Sequence, residues 1–217
     1  MQHMGEKISR VLGSWAVRWK AGSSGVMARV RGVEKIYGEI SRETGSFQKK
    51  AGLSCPGRCG HCCANSNVEA TILEMLPLAD ALLHRGEVDR WWHKAEAQSF
   101  SGRCIFYAPD QGNENDGRCE VYALRPLICR LFGYSGNRDK YGKLRLVACG
   151  VMKKGAPIAT EKALQEVFSG RLAPVAMADA VMRVAALDPE LARESLPINL
   201  AFKKSIERMG LYRKFKQ

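Results

Sequence analysis

Apolar residues recur at helical spacing over much of the chain. Ile8, Val11, Leu12, Trp15 and Trp19 follow the i, i+3, i+4 rule and predict an amphipathic helix over 7–20, with Lys7, Arg10 and Arg18 on its other side. Gly22-Ser23-Ser24-Gly25 then reads as a flexible break. Val33, Ile36, Tyr37 and Ile40 predict a second helix over 31–44. Thr71-Ile72-Leu73-Glu74 has the form of a capping box and opens an apolar stretch to Leu83. Pro77 is expected to restart or kink that helix, and Gly86 to stop it. Residues 87–98 are expected to be helical again. Trp91 and Trp92 cannot share one helical face, so one should pack and the other lie at a boundary.

The rhythm changes further on. Arg103-Cys-Ile-Phe-Tyr107 and Arg118-Cys-Glu-Val-Tyr122 echo each other across a stretch dense in turn residues from Pro109 to Gly117. They predict a two-stranded hairpin in which Cys104 and Cys119 face each other. The acidic residues of that loop do not have EF-hand spacing, which sets calcium aside. Residues 143–149 are expected to form a short strand ending at Cys149. Beyond it the pattern is helical: Thr160 and Gly170 bracket one helix, Pro174 starts another, and Pro197 to Met209 with Gly210 fits a last one. The expected fold is mainly α, with an irregular cysteine-rich middle and a short β-hairpin.

Composition adds little to that picture, since 46% hydrophobic and 26% charged residues among 217 are ordinary for a globular chain and exclude disordered, collagen-like and mucin-like classes. No apolar run reaches the roughly 18 residues of a membrane span. Charge is more informative. Residues 1–50 carry net +6, residues 51–150 net +1 and residues 151–217 net +5. Three segments are expected on this basis: a basic helical segment over 1–50, a metal-binding segment over 51–150 and a helical segment over 151–217. All eight cysteines lie in the neutral middle, which thiolates around a cation would turn negative. Basic flanks then balance it, and the overall +12 needs no nucleic acid to explain it. The same flanks are the candidate contact for an anionic membrane surface or for nucleic acid, the latter through Lys203, Lys204, Arg208, Arg213, Lys214 and Lys216. The first residues lack a signal-peptide core, so a cytoplasmic location is expected, where cysteines bind metal or do redox chemistry more often than they pair.

The strongest chemical signal is Cys55-Pro-Gly-Arg-Cys59-Gly-His-Cys62-Cys63. Cysteines two or three residues apart around glycine let a tight loop wrap one cation with several sulfurs. Soft thiolates suit zinc and iron–sulfur centres. Side chains of adjacent residues point apart in extended backbone, so Cys62 and Cys63 are expected to do different jobs. Cys104, Cys119, Cys129 and Cys149 complete the set. Four plus four permits two four-sulfur sites, or one site and spare cysteines, and spacing does not allocate them. Arg125-Pro126 and Arg130 flank Cys129, and their guanidinium groups are candidates to bond thiolate sulfur or neutralise an anionic cluster. His61 reads as exposed or supporting, because the cysteines suffice as ligands.

The series Cys59-Gly-His-Cys62-Cys63, Cys104-Ile-Phe-Tyr, Cys119-Glu-Val-Tyr122-Ala-Leu-Arg125-Pro126-Leu-Ile-Cys129-Arg130-Leu-Phe132 and Cys149 resembles the YkgJ-type cysteine-cluster family, described as a zinc- or iron-chelating domain. The resemblance spans about residues 55–150. It implies that all eight cysteines serve the metal. The gap between Cys55 and Cys59 is three residues where the usual form has two. The resemblance implies no settled reaction.

The expected function is therefore metal binding, to zinc or an iron–sulfur cluster. An iron–sulfur enzyme is the alternative. Cys55-x3-Cys59-x2-Cys62 has the spacing of the radical S-adenosylmethionine motif, and flagellin lysine methylases resemble the YkgJ type in cysteine pattern. Against it, the chain reads helical after the motif and shows no glycine-rich S-adenosylmethionine loop. A basic nucleic-acid-binding protein is the third reading, and no nucleic-acid motif accompanies it.

Overall fold

Val26, Val30, Val33, Tyr37, Ile40, Thr44, Phe47 and Ala51 are all buried, and they follow one another at alternating steps of four and three residues. That spacing keeps one stripe of a helix facing inward. In the computed structural model, which describes residues 23–56, 59–98, 102–110 and 113–214, they form a single helix, α1, Ser23–Ala51. The break expected over 22–25 is thus corrected. Ser23 to Gly25 open the helix, since small polar residues suit its first turn and the packing of Val26 and Val30 carries it. The helix predicted over 7–20 lies outside the described residues.

The elements that follow are α2 (His61–Ala64), β1 (Glu69–Ala70), α3 (Ile72–Arg85), α4 (Val88–Ala97), β2 (Tyr107–Asp110), β3 (Asn113–Cys119) and a 3-10 turn over Tyr122–Leu124. Then come α5 (Leu127–Leu131), β4 (Gly136–Arg138), β5 (Leu144–Leu146), α6 (Gly150–Gly155), α7 (Pro157–Phe168), α8 (Met177–Ala185), β6 (Leu196–Pro197) and α9 (Ile198–Lys214). The fold is mainly α, as expected. The strands pair antiparallel two by two, β1 with β6, β2 with β3 and β4 with β5. No helix among the described residues is long and apolar enough to cross a membrane.

α3 bears out its sequence signature. The Thr71 hydroxyl accepts from the Glu74 N–H at 3.2 Å, the Glu74 carboxylate accepts from the Thr71 N–H at 3.4 Å, and Gly86 closes the far end. Pro77 neither restarts nor interrupts the helix: it is buried on the core side of a continuous α3. In α4, Trp91 is buried and Trp92 half-buried, as expected. α9 runs past Gly210 to Lys214, because Ile206 and Met209 are anchored in the core and hold the turn on either side. The helix expected to start at Thr160 begins at Pro157, whose ring suits a first helical turn, and the one expected at Pro174 begins at Met177.

Two apolar clusters organise the molecule. The larger joins α1, α3, α4, α8 and α9, with Trp91, Phe106 and Phe202 stacked at ring separations of 4.7 and 4.9 Å. The smaller gathers Phe47, Ala51 and Leu53 from the end of α1 with Tyr134, Leu146, Met152, Ala163 and Val167. α1 spans both clusters, and the cysteines lie between them.

Candidate metal centre

Each cysteine is placed by an identifiable local device. Cys62 and Cys63 ride on α2, where the Cys63 and Ala64 N–H groups bond the Gly60 carbonyl at 2.9 and 3.0 Å. The backbone there is helical, not extended as the sequence reading assumed, so the two side chains diverge by about 100° around the helix instead of opposing each other. Gly60 is required by contact. A methyl group on it would lie 2.0 Å from the Tyr107 ring, which docks this loop on the hairpin.

The hairpin is correctly located by the sequence but shifted in register. Tyr107 pairs with Cys119 and Ala108 with Arg118, so much of the expected loop is strand. Cys104 therefore precedes β2 and is not the cross-strand partner of Cys119. It sits in a turn closed by the Tyr107 N–H to its carbonyl at 3.0 Å, and its own N–H bonds the Cys63 carbonyl at 3.2 Å. The fully buried Asn199 of α9 clamps that turn. Its Oδ1 accepts from the Ile105 N–H at 3.0 Å, and its Nδ2 donates to the Arg103 carbonyl at 3.0 Å.

Cys129 is carried by α5. The buried Tyr37 hydroxyl accepts from the Leu127 N–H at 3.1 Å and donates to the Glu74 carbonyl at 3.0 Å, which fixes the start of that helix. Cys149 ends the segment after β5, as expected of a strand there, and caps α6: its Sγ accepts from the Met152 N–H at 3.4 Å. Gly133, at φ +81°, lets the chain pass 3.3 Å from the Cys149 Cβ.

All eight cysteines are free thiols. Cys63 and Cys104 are buried, Cys62, Cys119, Cys129 and Cys149 half-buried, Cys59 half-buried and Cys55 exposed. The thiols touch one another. Cys63 hydrogen-bonds the sulfurs of Cys62 and Cys119, and Cys55 bonds that of Cys59. These contacts set the acidities. The bond from Cys63, with help from the Arg125 guanidinium, lowers Cys62 to about 6. Cys119 is lowered for the same two reasons. Desolvation first, then the charge of other cysteines, pushes Cys104 up to about 12 and Cys129 well above the ordinary thiol value. Cys55 is pushed up to about 11 by desolvation and by Cys59 and Cys62.

The two arginines singled out by sequence behave differently. Arg130 is tied to the backbone: its Nε donates to the Arg125 carbonyl and its Nη2 to the Ala123 carbonyl, both at 2.7 Å, and its guanidinium lies over the Tyr37 ring. It braces the turn that presents Cys129, and its charge also reaches that thiol. Arg125 stacks on Tyr122, and its Nε is buried with no hydrogen-bond partner. Its charge acts on Cys62, Cys119 and Cys129. The Tyr134 hydroxyl is likewise buried without a partner at bonding distance, with Gln48, Cys55 and Cys149 around it. His61 is exposed.

The donor set fits a thiophilic cation: soft sulfurs, one thiol already acidic, and an unpaired guanidinium N–H aimed among them. As they stand, no three His, Cys, Asp or Glu side chains among the described residues are close enough to hold an ion. Binding one requires the thiols to exchange their mutual hydrogen bonds for metal bonds by side-chain rotation. Neither of the two described grooves is lined by a cysteine; the larger, about 680 Å³, lies between α1 and α8 beside Phe47 and Arg183.

Asn199, Tyr134 and Tyr122 were not singled out by sequence. Asn199 carried a usable signal, a lone amide within the apolar run Leu196 to Phe202. Tyr134 and Tyr122 carried none.

A thiol-lined centre with a charged arginine beside it defines the class as a cysteine-ligated metal site. The family comparison agrees: residues 54–150 match the model of the CxxCxxCC family, described as "Putative zinc- or iron-chelating domain". The match bears out the YkgJ-type resemblance over that segment, which is under half of the chain. No curated protein and no solved structure matches the chain.

Proposed function

We propose that this chain is a zinc- or iron-binding protein whose metal, as an ion or an iron–sulfur cluster, is held by Cys55, Cys59, Cys62, Cys63, Cys104, Cys119, Cys129 and Cys149. The observation that supports it best is that free thiols from separate loops, helices and a strand end are collected between two apolar clusters. Burying polarisable thiols beside an unpaired arginine costs stability unless an anionic centre forms there. Arg125 is the group that supports that centre, donating through Nε to sulfur; Arg130 holds the turn. The metal-holding unit runs over 51–150, with basic flanks on both sides. Thiol ligation needs a reducing compartment, so a cytoplasmic setting belongs to the same reading.

The test is anaerobic purification of the full chain under reducing conditions, with elemental analysis, thiol counting and a visible spectrum. Bound zinc, or bound iron with sulfide absorption, is the expected result. Metal-free protein with four disulfides would overturn the proposal.

A further inference from the structure

The geometry points to two four-thiolate centres and not one: an inner centre of Cys63, Cys104, Cys119 and Cys129, and an outer centre of Cys55, Cys59, Cys62 and Cys149. This rests on the metal-binding reading above and assigns its ligands.

Packing divides the cysteines first. Cys63 and Cys104 belong to the larger apolar cluster, and Cys119 and Cys129 pack against it. Cys149 packs against the smaller cluster, and Cys55 is exposed just beyond it, past Leu53. Contacts divide them the same way. Cys63 bonds Cys119 through its thiol and Cys104 through its backbone, and the charges of Cys104 and Cys119 reach Cys129. Cys55 bonds Cys59 and feels both Cys62 and Cys149.

Cys62 is the arbiter, because it touches Cys63 and also reaches Cys55. Two adjacent residues binding one ion close a strained small ring. Cys59 and Cys62, two residues apart around a turn, chelate without strain. On α2 the Cys62 and Cys63 side chains leave the helix about 100° apart, which sends one to each side. The inner group is complete at four without Cys62, and the outer group reaches four only with it. Arg125, whose charge acts on Cys62 as well as on Cys119 and Cys129, stands at the boundary, where its unpaired Nε can donate to sulfur of either centre.

Paired substitutions test the allocation whether the metal is zinc or iron. Metal content of the anaerobically purified full chain is measured for Cys62→Ser, Cys63→Ser, Cys55→Ser, Cys149→Ser and the double variants, with far-UV circular dichroism to verify folding. Each single variant should retain about half of the wild-type metal. Cys62→Ser with Cys149→Ser removes two ligands of one centre and should still retain half. Cys62→Ser with Cys63→Ser removes one ligand from each and should retain none. The edge variants Cys55→Ser and Cys149→Ser decide the matter even if Cys63→Ser fails to fold. Complete loss from a folded Cys55→Ser or Cys149→Ser protein, or from the Cys62–Cys149 pair alone, means a single centre and overturns the inference while leaving metal binding intact. A wild-type chain without metal overturns both.

Discussion

Cys104 and Cys55 belong to one network of thiols but are held by different means. Cys104 is 6% exposed, its backbone bonded to Cys63 on one side and clamped by Asn199 on the other, with Ile105 and Phe106 fully engaged in the larger core. Cys55 is exposed, in a loop that follows α1, and its contacts are other thiols and Tyr134. Apolar packing can place the inner cysteines before any metal arrives. The outer ones have little besides each other. The difference separates a centre built on the fold from one that builds part of the fold.

Removing the metal should break the comparison open most visibly. Ordering residues 59–64 costs roughly 1–2 kcal/mol each in backbone entropy. Of these, only Gly60 and Cys63 are buried, so ligation, of order 10 kcal/mol, is the main compensation. Hydrogen exchange of apo and loaded protein should show residues 59–64 losing protection on metal removal, residues 104–106 losing less, and α3 and α9 keeping theirs. Equal protection in both states would mean that packing holds the outer loop too.

Asn199→Ala attacks the inner side alone. It leaves the Ile105 N–H and the Arg103 carbonyl unpaired beside the core and should cost about 1–3 kcal/mol in denaturant unfolding. Metal should be lost more readily from Cys104 and its neighbours than from Cys55 and Cys149, which selective protection of thiols from alkylation will report.

The arginines sharpen the contrast further. Arg125→Ala should weaken metal affinity about 10- to 100-fold in a chelator competition, with little change in apo stability. Arg130→Ala should do the reverse, lowering apo stability by roughly 1–2 kcal/mol because two backbone carbonyls lose their donor.

The smallest effect concerns acidity. In the apo protein at pH 7 Cys62 is largely thiolate, and alkylation should find it first. Its lowered pKa of about 6 raises the thiolate fraction over an ordinary thiol but also lowers its nucleophilicity, leaving a net advantage of only about fivefold. Its alkylation rate should be level above pH 7 and fall as pH drops through 6. Cys104, raised to about 12, should stay unreactive through pH 9. For the apo fold the signs are opposite. Cys62 adds stability as pH rises from 6 towards the ordinary thiol value of 9.0, and Cys104 removes it from there to about 12.

Local rules were readable from the sequence where the local chain decides the outcome. The Thr71–Glu74 box, the stop at Gly86 and the inequality of Trp91 and Trp92 all follow from nearest neighbours on a helix. They fail where packing overrides propensity. Ser23 to Gly25 and Gly210 are helical because the residues around them are anchored, and the hairpin slides into its turn-rich loop because Tyr107 must meet Gly60 and Cys119. The ligand candidates were legible as cysteines. Their grouping was not, since Cys55 and Cys149 are drawn together by folding with no mark in the intervening sequence.

The Asn199 clamp bears on heredity. The recognised segment ends at residue 150, yet a side chain 49 positions later fastens the turn that carries one of its thiols. The segment is thus not a cassette that recombination could move intact. Any chain that inherits it must bring an equivalent amide on a neighbouring helix or evolve another way to fasten that turn. A drift of residue 199 away from asparagine should accompany compensating changes around Arg103 and Ile105, far outside the cysteine motif itself.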